Sequence, residues 1–215
     1  MPLAKALQWL ITSLFLMTAW ASAGAQSTQV LPTAPAPAKP LRSPDVIYVP
    51  TPPEVVDATL KVADARRGDV LYDLGSGDGR IPITAVQKYN VTRATGIEIN
   101  PERIAEAQQN LTKARVGDRV QFRNEDLFEA DFSDATVITL YLLPALNVKL
   151  LPKMLRELKP GTRIVSHAFA MGDWKPEQTL EVGGRSVYFW TIPAKGTAAH
   201  AAASAAAGAG GLGSN

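Results

Sequence analysis

The feature that most constrains this chain is a β-prone run that ends in glycines. Val70-Leu71-Tyr72-Asp73-Leu74 passes directly into Gly75-Ser76-Gly77-Asp78-Gly79, and a helical pattern begins at Ile81. Strand, tight turn and helix in that order form half of a parallel crossover unit. Glycines at 75, 77 and 79 permit positive φ and predict backbone amides brought close to a ligand at the helix N-terminus. Glu98 closes the next predicted strand, where an acid can accept both hydroxyls of a nucleoside ribose.

The rest of the chain repeats that plan. Helices are predicted at Pro53–Ala65, Ile81–Tyr89, Glu102–Ala114 and from Leu146 to Leu158, the last with Pro152 as an internal kink or restart. Strands are predicted at Val70–Leu74, Ala94–Ile99, Val120–Arg123, Thr136–Tyr141 and Arg163–Ala168. Two more, Thr179–Val182 and Val187–Ile192, flank Gly183-Gly184 as a hairpin. The expected fold is α/β: a Rossmann-like, seven-stranded, mostly parallel sheet with helices on both faces and an antiparallel C-terminal hairpin.

The ends read differently. Lys5, an apolar run over Ala6–Trp20 and small residues thereafter predict a signal peptide over 1–25, with an uncleaved anchor as the alternative. Residues 26–44 are rich in Pro and Ala and predict a linker; 195–215 are Ala and Gly and predict a disordered tail. The folded domain is expected over 45–194. An exported, periplasmic or extracellular location follows from the signal, and membrane attachment from the anchor.

Composition narrows the chemistry. With 22 Lys+Arg against 20 Asp+Glu, nothing asks for nucleic acid as a partner. The absence of cysteine removes disulfides, thiolate-held zinc and iron–sulfur clusters, and 2 histidines argue against a multi-His metal site.

Spacing then separates two nucleoside cofactors. A dinucleotide site asks for a third Gly or Ala three residues after the second, and Arg80 stands there. Asp73 and Asp78 would also repel a pyrophosphate. The Gly-x-Gly-x-Gly run behind Asp73 suits instead the amino and carboxylate ends of the methionine moiety of S-adenosylmethionine. Asp126, after the third strand, reaches the same sheet edge and is expected to accept from the adenine amino group, with Leu127 over the ring.

On these residues the chain resembles the class I S-adenosylmethionine-dependent methyltransferases across 45–194. Asp73-Leu74-Gly75-Ser76-Gly77-Asp78-Gly79-Arg80 resembles their first motif and Glu98 their ribose acid. Tyr48-Val49-Pro50-Thr51, Gly96-Ile97-Glu98-Ile99-Asn100 and Asp126-Leu127-Phe128 look like the small mitochondrial protein-lysine methyltransferases that act on the ATP synthase c-subunit and the adenine nucleotide translocase. That resemblance implies that Tyr48 and Thr51 fold over the methionine end, that Ile99 belongs to the cofactor site, and that the acceptor is a lysine amine, in a protein that is membrane-associated in those relatives. The chain departs from amine methyltransferases at the end of the fourth strand, where Leu140-Tyr141-Leu142-Leu143-Pro144 replaces an Asn/Asp-Pro-Pro-aromatic motif.

Transfer from a sulfonium needs alignment more than acid–base help. Tyr141 is the candidate for lining the acceptor pocket, against the alternative of packing alone. His167 reads as a hydrogen-bonded core residue before a base, and Lys149, Lys153 and Arg156 as a solvated helix face. Two other functions stay open from sequence: an NAD(P)-dependent oxidoreductase, and an exported S-adenosylmethionine-binding protein without turnover.

Overall fold

The computed structural model describes residues 41–209. The signal over 1–25, most of the linker and the end of the tail lie outside the described residues. The order of elements is α1 (Pro53–Val62), β1 (Val70–Leu74), α2 (Arg80–Tyr89), β2 (Arg93–Glu98), α3 (Pro101–Ala114), β3 (Val120–Asn124), β4 (Val137–Leu140), α4 (Pro144–Glu157), β5 (Arg163–His167), β6 (Gln178–Val182), β7 (Arg185–Thr191) and α5 (Ala198–Ala209).

All seven strands form one sheet in the order β3-β2-β1-β4-β5-β7-β6. Strands β1 to β5 pair in parallel, and β7 runs antiparallel between β5 and β6. The β6–β7 turn is Gly183-Gly184, with φ of 58° and 72°, the positive values a two-residue hairpin requires. Because the chain builds outward from β1 to β3 and then returns to place β4 on the other side of β1, a crevice opens at the carboxyl ends of those two strands.

Strand residues alternate between two cores. Leu71, Ala94, Val137 and Val165 pack with Val55 and Leu60 of α1, Ile81 and Ala85 of α2, and Ala107 and Leu111 of α3. Leu74, Ile97, Ile138 and Ile164 pack with Leu150, Leu151 and Met154 of α4 on the opposite face. Burial on both faces explains why these strands read as continuous apolar runs.

One expectation is narrowed and one corrected. Helix α4 continues through Pro152 without a restart. Burial of Leu150, Leu151, Met154 and Leu155 around the proline holds the helix across the missing hydrogen bond. The tail is not structureless as far as Ala209: Thr197 Oγ1 accepts from His200 N at 3.2 Å as an N-cap, and α5 buries Ala203 and Ala206 against the α4 side of the core. Alanine has the highest helix propensity, and its small side chain lets a helix approach closely.

Candidate active site

A cavity of about 440 Å³ opens at the carboxyl ends of the parallel strands. Of the residues singled out from sequence, Tyr48, Thr51, Asp73, Gly75, Ser76, Glu98, Ile99, Leu127 and Tyr141 line it. Its size falls within the range of small-molecule sites.

The glycine turn works differently from the expectation. Four of its five amides are committed to the protein: Gly75 N and Ser76 N donate to Ile97 O, Gly77 N donates to Glu98 Oε2 at 2.9 Å, and Gly79 N donates to Ser76 O. The glycines are needed for what presses on them. A Cβ on Gly75 would lie 2.8 Å from Leu142, one on Gly77 2.2 Å from the Tyr48 ring, and one on Gly79 2.3 Å from the Phe122 ring. Gly77 and Gly79 therefore lie under aromatic rings, outside the cavity lining, and Leu74 is fully buried in the core.

Side chains supply further polar groups for a ligand. Asp73 is buried, accepts from Thr139 Oγ1 at 2.7 Å, and has its pKa pushed up to about 7 by burial. Ser76 Oγ is buried without a partner. Glu98 accepts from Gly77 N and Asn100 N, both at 2.9 Å, through different oxygens. Each oxygen keeps a second lone pair.

Asp78 also requires correction. Asp78 does not present a bare charge to a phosphate, because Arg80 Nη2 pairs with it at 2.6 Å and depresses its pKa against the cost of burial. Arg80 further donates to Thr51 O at 2.8 Å and lies 3.4 Å from the Tyr48 hydroxyl, fastening 48–51 over the turn. Burial raises the Tyr48 pKa to about 12 and keeps the phenol protonated.

Asp126 does reach the sheet edge, but its carboxylate is held by Arg42 through Nε and Nη2 and by Phe128 N. It lies outside the lining, whereas Arg42 and Leu127 are in it. Composition alone places Arg42 in the linker. Sequence reasoning misses Phe169 as well, although it follows the end of a parallel strand, the position from which the other site residues come.

Tyr141 stands after β4 with its ring 3.9 Å from that of His167. His167 is buried, its Nδ1 lies 3.2 Å from Thr51 Oγ1 and its Nε2 has no partner. Burial, with help from Arg185, lowers its pKa to about 4, so the ring is neutral at physiological pH and a weak base. Lys149 and Arg156 are exposed, as a solvated face requires, and Lys153 is partly buried; the Lys149 and Lys153 ammonium groups stand over the Phe128 and Phe132 rings at 4.2 and 5.0 Å.

A parallel sheet with its switch point beside a glycine turn, a buried acid on β1 and a second acid ending β2 define a class I S-adenosylmethionine-dependent methyltransferase. Residues 73–178 match the family model described as the ANTKMT methyltransferase domain. A protein-lysine N-methyltransferase of Saccharolobus islandicus is 46% identical over 153 residues, 69% of this chain and 95% of that protein. The human lysine N-methyltransferase named for the ATP synthase c-subunit is 29% identical over 141 residues, 66% of this chain, and the match spans 59% of its own length. A crystal structure described as an RNA methyltransferase from Salinibacter ruber, in complex with S-adenosyl-L-homocysteine, is 53% identical with a TM-score of 0.68, covering 70% of this chain and 97% of that one. The chain belongs to this family of methyltransferases, and its methyl donor is S-adenosylmethionine.

Proposed function

We propose that the enzyme methylates the side-chain amine of a protein lysine. The observation that carries this reading is the character of the cavity mouth. Ile47, Val49 and Leu143 stand exposed in a lining that also holds the Tyr141 and Phe169 rings. The arginines of the lining are engaged with carboxylates: Arg42 with Asp126 and Asp45, Arg80 with Asp78, Arg103 with Glu106. An apolar mouth favours loss of the proton from a lysine ammonium, as attack on the sulfonium methyl requires. Paired arginines offer no open track for a phosphate backbone. The names of the Saccharolobus and human relatives agree with this acceptor.

RNA is the second reading, favoured by the description of the Salinibacter relative. Incubating the full chain with methyl-tritiated S-adenosylmethionine and a bacterial extract separates the two. Label that resists nuclease and elutes as Nε-methylated lysine after protein hydrolysis is the expected result. Label released by nuclease assigns the acceptor to RNA.

In the proposed donor pose Asp73 holds the methionine ammonium, Ser76 Oγ its carboxylate end, Glu98 the ribose and Leu127 the adenine face. Asp126, held by Arg42, then fixes the amino-terminal strap beside the adenine end. A pH effect follows. The ammonium binds ionised Asp73, and that group carries its proton below about pH 7 in the free protein. Donor affinity should therefore weaken as pH falls, by roughly 20-fold between pH 7.5 and 5.5. Calorimetry across that range checks the slope; Asp73→Asn should bind weakly and without it, and a wild-type affinity independent of pH would remove Asp73 from the donor site.

We also propose that 1–25 act as a cleaved export signal, with the apolar mouth working close to a membrane surface. The apolar run over residues 6–20 and the exposure of Ile47, Val49 and Leu143 support this. Amino-terminal sequencing of the mature protein from fractionated cells tests it, and an intact Met1 in the cytoplasmic fraction overturns it.

A further inference from the structure

Strand β5 ends at His167, and the chain then makes an unusual turn. Phe169 N donates to His167 O at 2.9 Å across Ala168, whose φ is 65°. A bond from residue i to i+2 around a positive φ marks the rarer hand of γ-turn, which is costly for a residue with a Cβ. Such a conformation persists only where its surroundings over-determine it.

Here the surroundings are polar and buried. Ser166 Oγ donates to Phe169 O at 2.6 Å. From α4, Asn147 Nδ2 reaches Ser166 Oγ and Phe169 O, each at 3.1 Å, and Ala170 O at 3.3 Å. Both Ser166 and Asn147 are fully buried.

The turn delivers Phe169 to the cavity wall. Its ring centroid lies 6.3 Å from that of Tyr141, with planes 21° apart, and the Tyr141 ring is backed by His167. Along the sheet edge the proposed donor runs from Leu127 after β3, past Glu98 of β2, to the turn after β1. Tyr141 and Phe169 follow β4 and β5, on the side beyond the methionine end. That is the side from which an acceptor meets the methyl group.

We infer that Tyr141 and Phe169 form the specificity-determining wall of the acceptor site, receiving the substrate ammonium on their ring faces and holding an amine more firmly once it carries methyl groups. Ser166 and Asn147 are positioning residues that keep Phe169 in place through the strained turn. The inference rests on the amine-acceptor reading above and deepens it. Aromatic faces attract cations, and methylated ammonium groups are less strongly hydrated than a bare one, which favours their transfer to such a wall.

The test uses the full chain saturated with S-adenosyl-L-homocysteine. It is titrated by NMR with Nα-acetyl-lysine methylamide, its Nε-dimethyl and trimethyl forms, and the neutral norleucine analogue. Affinity should rank trimethyl, dimethyl, unmodified, norleucine. Phe169→Leu, which keeps apolar volume and loses the ring, should weaken the dimethyl probe about five- to tenfold and leave norleucine and S-adenosylhomocysteine binding unchanged. Asn147→Ala should show the same selective loss, whereas Ala168→Gly, which accepts the positive φ freely, should retain wild-type ranking. Equal or absent binding of the four probes to wild type, or a Phe169→Leu variant that ranks and binds them as wild type does, overturns the wall. If the wild-type enzyme labels lysine in the transfer assay while Phe169→Leu binds unchanged, the wall fails and the acceptor reading stands; label confined to RNA sinks the acceptor reading itself.

Discussion

Replacing Glu98 by alanine should raise the dissociation constant for S-adenosylmethionine by at least ~100-fold while the fold survives. The carboxylate stands at a junction. One oxygen takes the Gly77 amide and the other the Asn100 amide, so it locks the glycine turn to the end of β2 and shapes the entry to α3. In the proposed donor pose the remaining lone pairs accept the ribose hydroxyls. Hydrogen bonds to a charged group contribute about 1.5–3 kcal/mol each, so losing two to the ligand accounts for roughly 3–6 kcal/mol before any loosening of the turn. Glu98→Gln keeps one carbonyl acceptor and should fall between alanine and wild type. Calorimetry gives the affinities, and thermal unfolding of the ligand-free variants controls for collapse. Donor binding by Glu98→Ala within about threefold of wild type would place the ribose elsewhere.

Glu98 is legible in the sequence because its position is topological: a strand end next to the switch point fixes where an acid must stand. The same logic finds Asp73, Tyr141 and the sheet itself, since continuous Val, Ile and Leu runs between helical patterns admit few other arrangements. What the sequence does not show is which partner each group meets. Asp126 can be placed at the edge, but its capture by Arg42 depends on a segment without periodicity 84 residues away. Arg80 can be read as a missing glycine, yet its bonds to Thr51 and Tyr48 make it a fastener of the amino-terminal strap. Phe169 is placed by a backbone turn whose strain no propensity forecasts. Alanine-rich composition hides α5, because composition registers the absence of large side chains and not the close packing that small ones allow.

Gly79→Ala tests why the motif is glycine-rich at all. If the residue served only to admit a ligand to the backbone, an added methyl would weaken binding and leave stability nearly unchanged. The structure argues otherwise. Gly79 is the N-cap of α2 at φ 80°, and its Cβ would fall 2.3 Å from Phe122 Cζ and 3.1 Å from Ala107 Cβ. The left-handed backbone costs about 1–2 kcal/mol for a residue with a side chain, and overpacking a filled core adds about 1–3 kcal/mol. The expected destabilisation is about 2–5 kcal/mol in the ligand-free protein, read from urea unfolding. Phe122 cannot swing clear, because its ring also packs against Gly96, where a Cβ would lie 2.5 Å from Phe122 Cδ1. Pairing Gly79→Ala with Phe122→Leu should therefore recover part of the clash energy while leaving the φ cost in place. A double variant no more stable than the sum of the two single changes would show that the ring is not what the glycine accommodates.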